Sequence, residues 1–339
     1  MIQLTKNDYE LLTKLVTLNQ EQVKRLMSMY LKKHYPKVIE REKFILVEGT
    51  IPICLVAHLD TVFDNSICLN KSVFYDREQG VLWSPDGAGF DDRAGIFAIV
   101  KILQSGLRPH IILCCDEEVG GKGAAAVTKS YPFGLPFSCN YFIELDRAGY
   151  DDMVFYNCNN PEFTSYVKKF GFIEQFGSFT DISILCPHFK IAGVNLSIGY
   201  ELEHSTSEFL YLKGLFRTVT KVKKMLQEKD IPSFEYIEGT RFSWNFSWGS
   251  FKNQGFPCDC CKNTDYSEEE MFPVLAIDGT TQMFCPDCIS GKVSWCTSCG
   301  NPYEKINPNE PTTGVCDICR EVKDNGTWKR SKESGSPKA

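Results

Sequence analysis

Long apolar runs are missing from this 339-residue chain. No stretch approaches the roughly 20 residues that a membrane-spanning helix needs, so the sequence reading excludes a span. The N-terminus, MIQLTKNDYELL, has neither the basic start nor the apolar centre of a signal peptide, and a cytoplasmic protein is the expectation. An excess of positive charge is missing too: the formal net charge is −6, which argues against a broad nucleic-acid surface. Histidine is scarce, with five in the chain, so the positions it does occupy carry information.

Cysteine, by contrast, is abundant: there are 16. Cys54, Cys68, Cys114, Cys115, Cys139, Cys158 and Cys186 scatter through strand-like segments, where in a reducing compartment they read as small buried hydrophobes. The rest cluster in tight pairs, Cys258-x-x-Cys261, Cys285-x-x-Cys288, Cys296-x-x-Cys299 and Cys316-x-x-Cys319, with Cys260 left over. Four such knuckles supply two tetrahedral thiolate sites, so two zinc ions are expected here. Sequential pairing would give two stacked ribbons and interleaved pairing a cross-brace. A module this small is held together largely by its metals. Acidic side chains outnumber basic ones between 240 and 323, which favours a protein partner or a substrate-covering role over nucleic acid.

The organisation follows from periodicity. Residues 8 to 34 carry two helical patterns, strand-like runs follow at 43 to 48 and 53 to 57, and "SVFYDREQGVLWSPDG" reads as a hairpin turning at Glu78, Gln79 and Gly80. Strands and helices then alternate: a helix over 92 to 104, a strand at "HIILCCD", a helix after "GGKGAAAV", a strand at "CNYFIELD", a helix near 161 to 170, a strand at "GVNLSIG" and a long helix from about 206 to 228. That alternation predicts an α/β sandwich with a mixed, largely parallel central sheet. The texture changes near 240, which gives three expected parts: a catalytic domain over 1–239, a zinc-ribbon-like module over 240–323 and a flexible tail over 324–339.

Ligands of such sheets sit beyond the carboxyl ends of the strands, and there the sequence repeats one theme. "ICLVAHLDTV" ends a strand with His58 and Asp60, two apart and so on one face. "GFDDRAG" puts Asp91 and Asp92 at a helix entry, "CCDEEVGG" ends a strand with Asp116, Glu117 and Glu118, "IELD" ends with Asp146, and "GYELEHSTSEF" carries His204. Each alone has a bland explanation as a cap, a solvated pair or a structural histidine. Together, two imidazoles among several carboxylates suit zinc or a related divalent metal, and a two-metal site needs one bridging carboxylate.

In that order, "AHLDTV", "GFDDRAG", "DEEVGGKGA", "ELD" and "EHSTSE" resemble the co-catalytic di-zinc exopeptidase and amidohydrolase superfamily, over roughly residues 45 to 225. The resemblance implies a three-layer sandwich and an amide-bond hydrolase, most simply an aminopeptidase-like exopeptidase acting on peptides. It also implies roles. His58 and Asp146 bind one zinc, His204 and Glu118 bind the second, and Asp91 bridges both, with Mn or Co as alternative ions. Asp60 orients His58, and Glu117 is the general base. A cis peptide is expected between Asp91 and Asp92. Tyr200 is read as a buried aromatic with an alternative role as donor, His110 and His188 as structural, and Asp181 in "GSFTDIS" as a supporting residue.

The chain departs from the superfamily in having neither a lid insertion between His58 and Asp91 nor a dimerisation insertion between Asp146 and His204. Other readings are a deacylase of a small N-acyl amino acid, a one-zinc glutaminyl-cyclase-like enzyme, and an inactive scaffold whose zinc module binds a protein. The intact "HLD" motif and the retained Glu117 speak against the last two.

Overall fold

A computed structural model of the protein describes residues 4–63, 71–177 and 179–239, with five short strands beyond them: β13 (Phe272–Leu275), β14 (Thr281–Phe284), β15 (Val293–Cys296), β16 (Pro302–Glu304) and β17 (Thr313–Gly314). The chain divides into two compact units, Met1–Ser243 and Trp244–Ala339. In the second, β13 and β14 form an antiparallel pair, and β15 joins β16 and β17 in a three-stranded sheet. Of the eight knuckle cysteines, Cys296 closes β15, and the other seven lie outside the described residues.

The first unit is built on alternation. In β3 (Ile51–His58), Ile53, Leu55 and Ala57 enter one hydrophobic cluster, while Cys54 and Val56 enter the other. The period of two therefore makes a strand buried on both faces, as a central parallel strand must be. β6 (Pro109–Cys114) and β7 (Tyr141–Arg147) divide in the same way, with Ile111, Leu113, Ile143 and Leu145 on one side and Ile112, Cys114 and Phe142 on the other. With β1 (Val38–Glu40), β2 (Phe44–Val47), β8 (Asp152–Val154), β9 (Ile173–Glu174) and β10 (Gly193–Ser197), they form an eight-stranded sheet of order β1-β2-β6-β3-β7-β10-β8-β9. Its four central strands, β6, β3, β7 and β10, are parallel.

Helices cover both faces. The larger cluster packs α1 (Lys6–Thr17), α2 (Gln20–Leu31), α3 (Phe90–Gln104), α5 (Pro161–Lys168) and α7 (Leu212–Leu226) on one side. The smaller packs α4 (Lys122–Ser130) and α6 (Ile182–Phe189) on the other. This is the α/β sandwich, mixed and largely parallel, that the alternation predicts. Cys54, Cys114, Cys115, Cys139, Cys158 and Cys186 are buried and free, which is the expected role of small hydrophobes.

Two details depart from the sequence reading. The long helix starts at Leu212 rather than near 206, because Phe209, Leu210 and Tyr211 form β12 (Phe209–Tyr211), paired with β5 (Val81–Trp83), and Leu212 N–H donates to Gly80 O. With β4 (Phe74–Asp76) and β11 (Tyr200–Glu201), these strands make a second, antiparallel sheet. Helix α6 is an element the sequence reading did not include; it tolerates Pro187 because that residue falls in its last turn, just before Lys190 closes it with φ 56°. The hairpin turn at 78–80 is present, with Glu78 and Gln79 N–H both donating to the Asp76 carboxylate and Gly80 at φ 68°.

Candidate metal centre

The four parallel strands deliver their C-terminal ends to one place. His58 closes β3 and is 1% exposed, with Nε2 2.9 Å from Asp91 Oδ1 and 3.3 Å from Asp146 Oδ1. His204 stands on the loop after β11 in the left-handed region, φ 60°, with Nε2 3.2 Å from Asp91 Oδ2 and 3.0 Å from Glu118 Oε2. Asp91 thus turns its two oxygens toward two different imidazoles, and Glu118 and Asp146 stand on opposite flanks. The ligand atoms of His58, Asp91 and Glu118 lie within 4.8 Å of one another.

Asp92 also comes close, forming a similar group with His58 and Asp146, but its carboxylate is already engaged. Oδ2 accepts His58 N–H at 3.2 Å and Oδ1 accepts Gly95 N–H at 2.9 Å. Asp92 is therefore a clamp, while the Asp91 carboxylate is turned toward the two histidines. The peptide bond between them is cis, and regular helix begins only after Asp92 because both residues have non-helical dihedrals. Gly95 is required at its position: a Cβ there would collide with Leu145 O and the Asp92 carboxylate.

The supporting hydrogen bonds link one loop to the next. Asp60 lies 3.4 Å from His58 Nδ1, but its two oxygens accept Glu117 N–H and Glu118 N–H, each at 3.0 Å. It therefore holds the glutamate turn as well as facing the histidine. Asp116, at φ 58°, is gripped from three sides: Gln20 Nε2 donates to Oδ1 at 2.8 Å, Lys43 Nζ to Oδ2 at 2.7 Å, and Asp116 N–H donates to Gln20 Oε1 at 2.8 Å. Asp146 accepts Tyr200 O–H on Oδ1 and Thr180 O–H on Oδ2, both at 3.0 Å. Tyr200, at 2% exposure, is the buried aromatic, and its hydroxyl is engaged by Asp146.

Glu208 was missed by sequence reasoning. It is fully buried and accepts Gly89 N–H and, at 2.9 Å, Asp91 N–H, so it fixes the backbone that carries the shared aspartate. No local signal marks this role, because the N–H groups that Glu208 satisfies at the entry to α3 lie far away in sequence. His110 and His188 lie outside the cluster, bonded to Ser138 O and Tyr131 O. Asp181 is fully buried, with the Cys114 thiol against its carboxylate.

Electrostatics mark the cluster as one that wants cations. Burial pushes the Glu117 carboxyl up to about 8, with nearby Asp146, Asp181 and Glu118 adding to the shift against the opposing pull of His58. Burial likewise raises Asp146 and Asp181 to about 7. Hydrogen bonds to Asp91 and Glu118 raise His204 to about 11, and the carboxylates around His58 lift it despite its burial. Protons here stand in for positive charge. Glu118 Oε1 is buried and has no hydrogen-bond partner among the described residues, an arrangement that is costly unless another group completes it. The donor set of two imidazoles and several carboxylates fits borderline divalent metals.

No family model matches the chain, and no curated protein sequence matches it. Solved structures do. The aminopeptidase PepT of Bacillus cereus aligns at 14% identity with a TM-score of 0.50, over 64% of this chain and 96% of that one. A tripeptidase of Staphylococcus aureus aligns at 15% and 0.50, over 64% and 96%. A TET aminopeptidase of a marine-sediment Thaumarchaeota archaeon aligns at 13% and 0.52, over 67% and 98%. The chain has the fold of these aminopeptidase structures.

Proposed function

We propose that the protein is a di-metal-dependent exopeptidase, aminopeptidase-like, that removes the terminal residue of peptides. The observation that carries this reading is Asp91 facing both His58 and His204 with its two oxygens, flanked by Asp146 and Glu118. On this reading His58 and Asp146 would hold one zinc, His204 and Glu118 the other, and Asp91 both. Manganese or cobalt would suit the same donors.

When bound, the two ions supply a Lewis acid for the scissile carbonyl and lower the pKa of an attacking water toward about 7. The chain's own residues do the rest. Glu117 takes the proton from that water on its carboxylate and hands it to the leaving amine. Asp60 and Asp116 hold Glu117 in place through the backbone, and Tyr200 and Thr180 fix the Asp146 carboxylate. The absence of the superfamily's insertions would leave the site on a compact domain over 1–239. Residues 240–323 would form a two-zinc module at Cys258, Cys261, Cys285, Cys288, Cys296, Cys299, Cys316 and Cys319, able to meet a protein partner. No helix among the described residues is long and apolar enough to cross a membrane.

The test is hydrolysis of a panel of aminoacyl, peptidyl and N-acyl amino acid substrates by wild type and Glu117→Gln, with metal content measured on both. Turnover by wild type that falls by about 10²-fold or more in Glu117→Gln at unchanged metal content supports the reading. Turnover of only the N-acyl compounds moves it to a deacylase. Two metals per chain with no turnover moves it to a scaffold served by its zinc module.

A further inference from the structure

Leu202 is unfavourable twice over where it stands. Its φ of 57° lies in the left-handed region that a bulky residue rarely adopts, and it is 55% exposed and belongs to neither hydrophobic cluster. The turn around it is nevertheless fixed, since Ser205 Oγ donates to Leu202 O at 2.7 Å and accepts Ser207 N–H at 3.2 Å. Glycine or asparagine would suit that backbone better, and a polar side chain would suit that exposure. Strained residues kept without a packing reason gather at functional sites.

The location says what covers it. Leu202 precedes His204 by two residues, so their Cα atoms are at most about 7 Å apart, and His204 Nε2 is 3.0 Å from Glu118 Oε2. Val119 follows Glu118 directly and is 58% exposed, again outside both hydrophobic clusters. A third apolar side chain comes from the Asp146 side. Phe179, 44% exposed, precedes Thr180, which bonds Asp146, and its Cζ lies 2.8 Å from where a Cβ on Gly121 would stand, in the turn that carries Glu117. Exposed apolar residues scattered singly need no explanation, but these are delivered to the ligands of one cluster by different loops. Such a surface favours an apolar group, because contact releases water from both. Glu203, exposed between Leu202 and His204, opposes an acidic side chain by like charge.

We propose that Leu202 and Val119 receive the side chain of the terminal residue to be removed, so that the preferred substrates are peptides beginning with a large apolar residue. This rests on the exopeptidase reading above. Neither residue offers a proton or a ligand atom, so their effect is on discrimination between side chains rather than on the chemical step.

The probes are Leu-Gly-Gly, Ala-Gly-Gly, Glu-Gly-Gly and Lys-Gly-Gly, with metal-loaded protein. Wild type is expected to use Leu-Gly-Gly with kcat/KM at least about tenfold above the other three, the scale on which apolar contacts discriminate. Leu202→Asn keeps a residue that tolerates the left-handed backbone, and Val119→Thr keeps the shape; each should lower the Leu-to-Ala ratio about threefold or more. The double variant should bring that ratio within about twofold of one, whereas Leu202→Met should hold most of it. Thermal unfolding separates this role from a packing one. Leu202→Asn should melt at or above the wild-type temperature, and a lower Tm would assign Leu202 to the fold and overturn the proposal. Equal use of the Leu and Ala peptides by wild type, a preference for Glu or Lys, or an unchanged ratio in the double variant overturns it too. Calorimetric titration of Leu-Gly-Gly and Ala-Gly-Gly into metal-loaded Glu117→Gln reads the preference without turnover. If wild type hydrolyses nothing yet this variant binds Leu-Gly-Gly at least about fivefold tighter than Ala-Gly-Gly, the exopeptidase reading falls and the apolar site stands. Equal affinity, or binding of neither peptide, overturns the site.

Discussion

Gly95→Ala separates local propensity from packing because the two predict opposite signs. Gly95 lies inside α3, where alanine is favoured over glycine by about 1 kcal/mol on helix propensity alone. The structure predicts the reverse. An added Cβ would overlap Leu145 O, held in the central sheet, and the Asp92 carboxylate, which is committed to His58 N–H and Gly95 N–H. Neither neighbour is the free end of a flexible side chain. Overpacking of this kind costs roughly 1–3 kcal/mol, and turning the Asp92 carboxylate away leaves a buried N–H unpaired at a further 1–3 kcal/mol or so. Net of propensity, the loss is about 1–5 kcal/mol, a fall in Tm of roughly 2–20 °C for a unit of this size. Scanning calorimetry on metal-free protein measures it, and metal content on the loaded protein reports whether the shift of Asp92 carries Asp91 with it. Unfolding at or above the wild-type temperature, with unchanged metal binding, would refute the packing described around Gly95.

Chelation should destabilise the protein by the binding term lost: at a free metal concentration one hundred times Kd this is about 2.7 kcal/mol, or roughly 5–11 °C. Zinc added back should restore that shift in wild type and lose most of it in Asp91→Asn, whereas equal restoration in both would remove Asp91 from the site. Asp116→Ala loses the grip of Gln20 and Lys43, so kcat should fall about tenfold or more with KM little changed. Asp116→Gly, which accepts the positive φ but not the hydrogen bonds, should fail to rescue it; full rescue would show that only backbone conformation matters. Burial raises Glu208 to about 7, so the folded protein holds this proton where the unfolded chain has released it. Its contribution to metal-free stability is therefore complete below about pH 4.5 and lost as pH rises toward 7. Urea titrations of metal-free Glu208→Gln should show a flatter pH dependence across that window than wild type, and an identical slope would count against the assignment.

How much of this was legible in the chain depends on the range of the interaction. The alternation in "ICLVAHLD" is local, and it correctly put His58 and Asp60 at a strand end, as did "IELD" for Asp146, because a strand's facing follows from its own period of two. The positions of β12 and Glu208 were not legible. Phe209–Tyr211 leaves the helical pattern because a partner at Val81–Trp83, far away in sequence, takes its backbone hydrogen bonds, and tertiary pairing overrides local propensity there. Glu208 has its role only because Gly89 and Asp91 are brought to it by the same folding. The residues themselves give two adjacent aspartates and the resemblance selects Asp91; the hydrogen bonds add that the Asp92 carboxylate is already occupied.

The pattern of those bonds explains how a crowded set of carboxylates can be held ready for cations. Each ligand-bearing segment is secured by a polar group from a different segment. Asp60, after β3, holds the glutamate turn after β6 through Glu117 and Glu118. Gln20 at the start of α2 holds the same turn through Asp116. Asn195 in β10 accepts Asp146 N–H at 3.0 Å and donates to Asp146 O at 2.7 Å, while Glu208, beyond β11, holds the entry to α3. Like charges brought together would push these loops apart if nothing but their own backbones restrained them. Cross-linking each to a neighbour transfers the repulsion to the sheet, which is buried on both faces and yields little. The candidate ligands of the proposed site are then ordered in advance, and on that proposal a metal ion would meet a set that needs little further rearrangement. That argument assigns Asn195 a measurable part: Asn195→Ala should weaken metal affinity about 10- to 100-fold, in the range of other supporting partners of metal ligands, although Asn195 touches no metal. An affinity equal to wild type would mean that the repulsion is borne by the backbone alone.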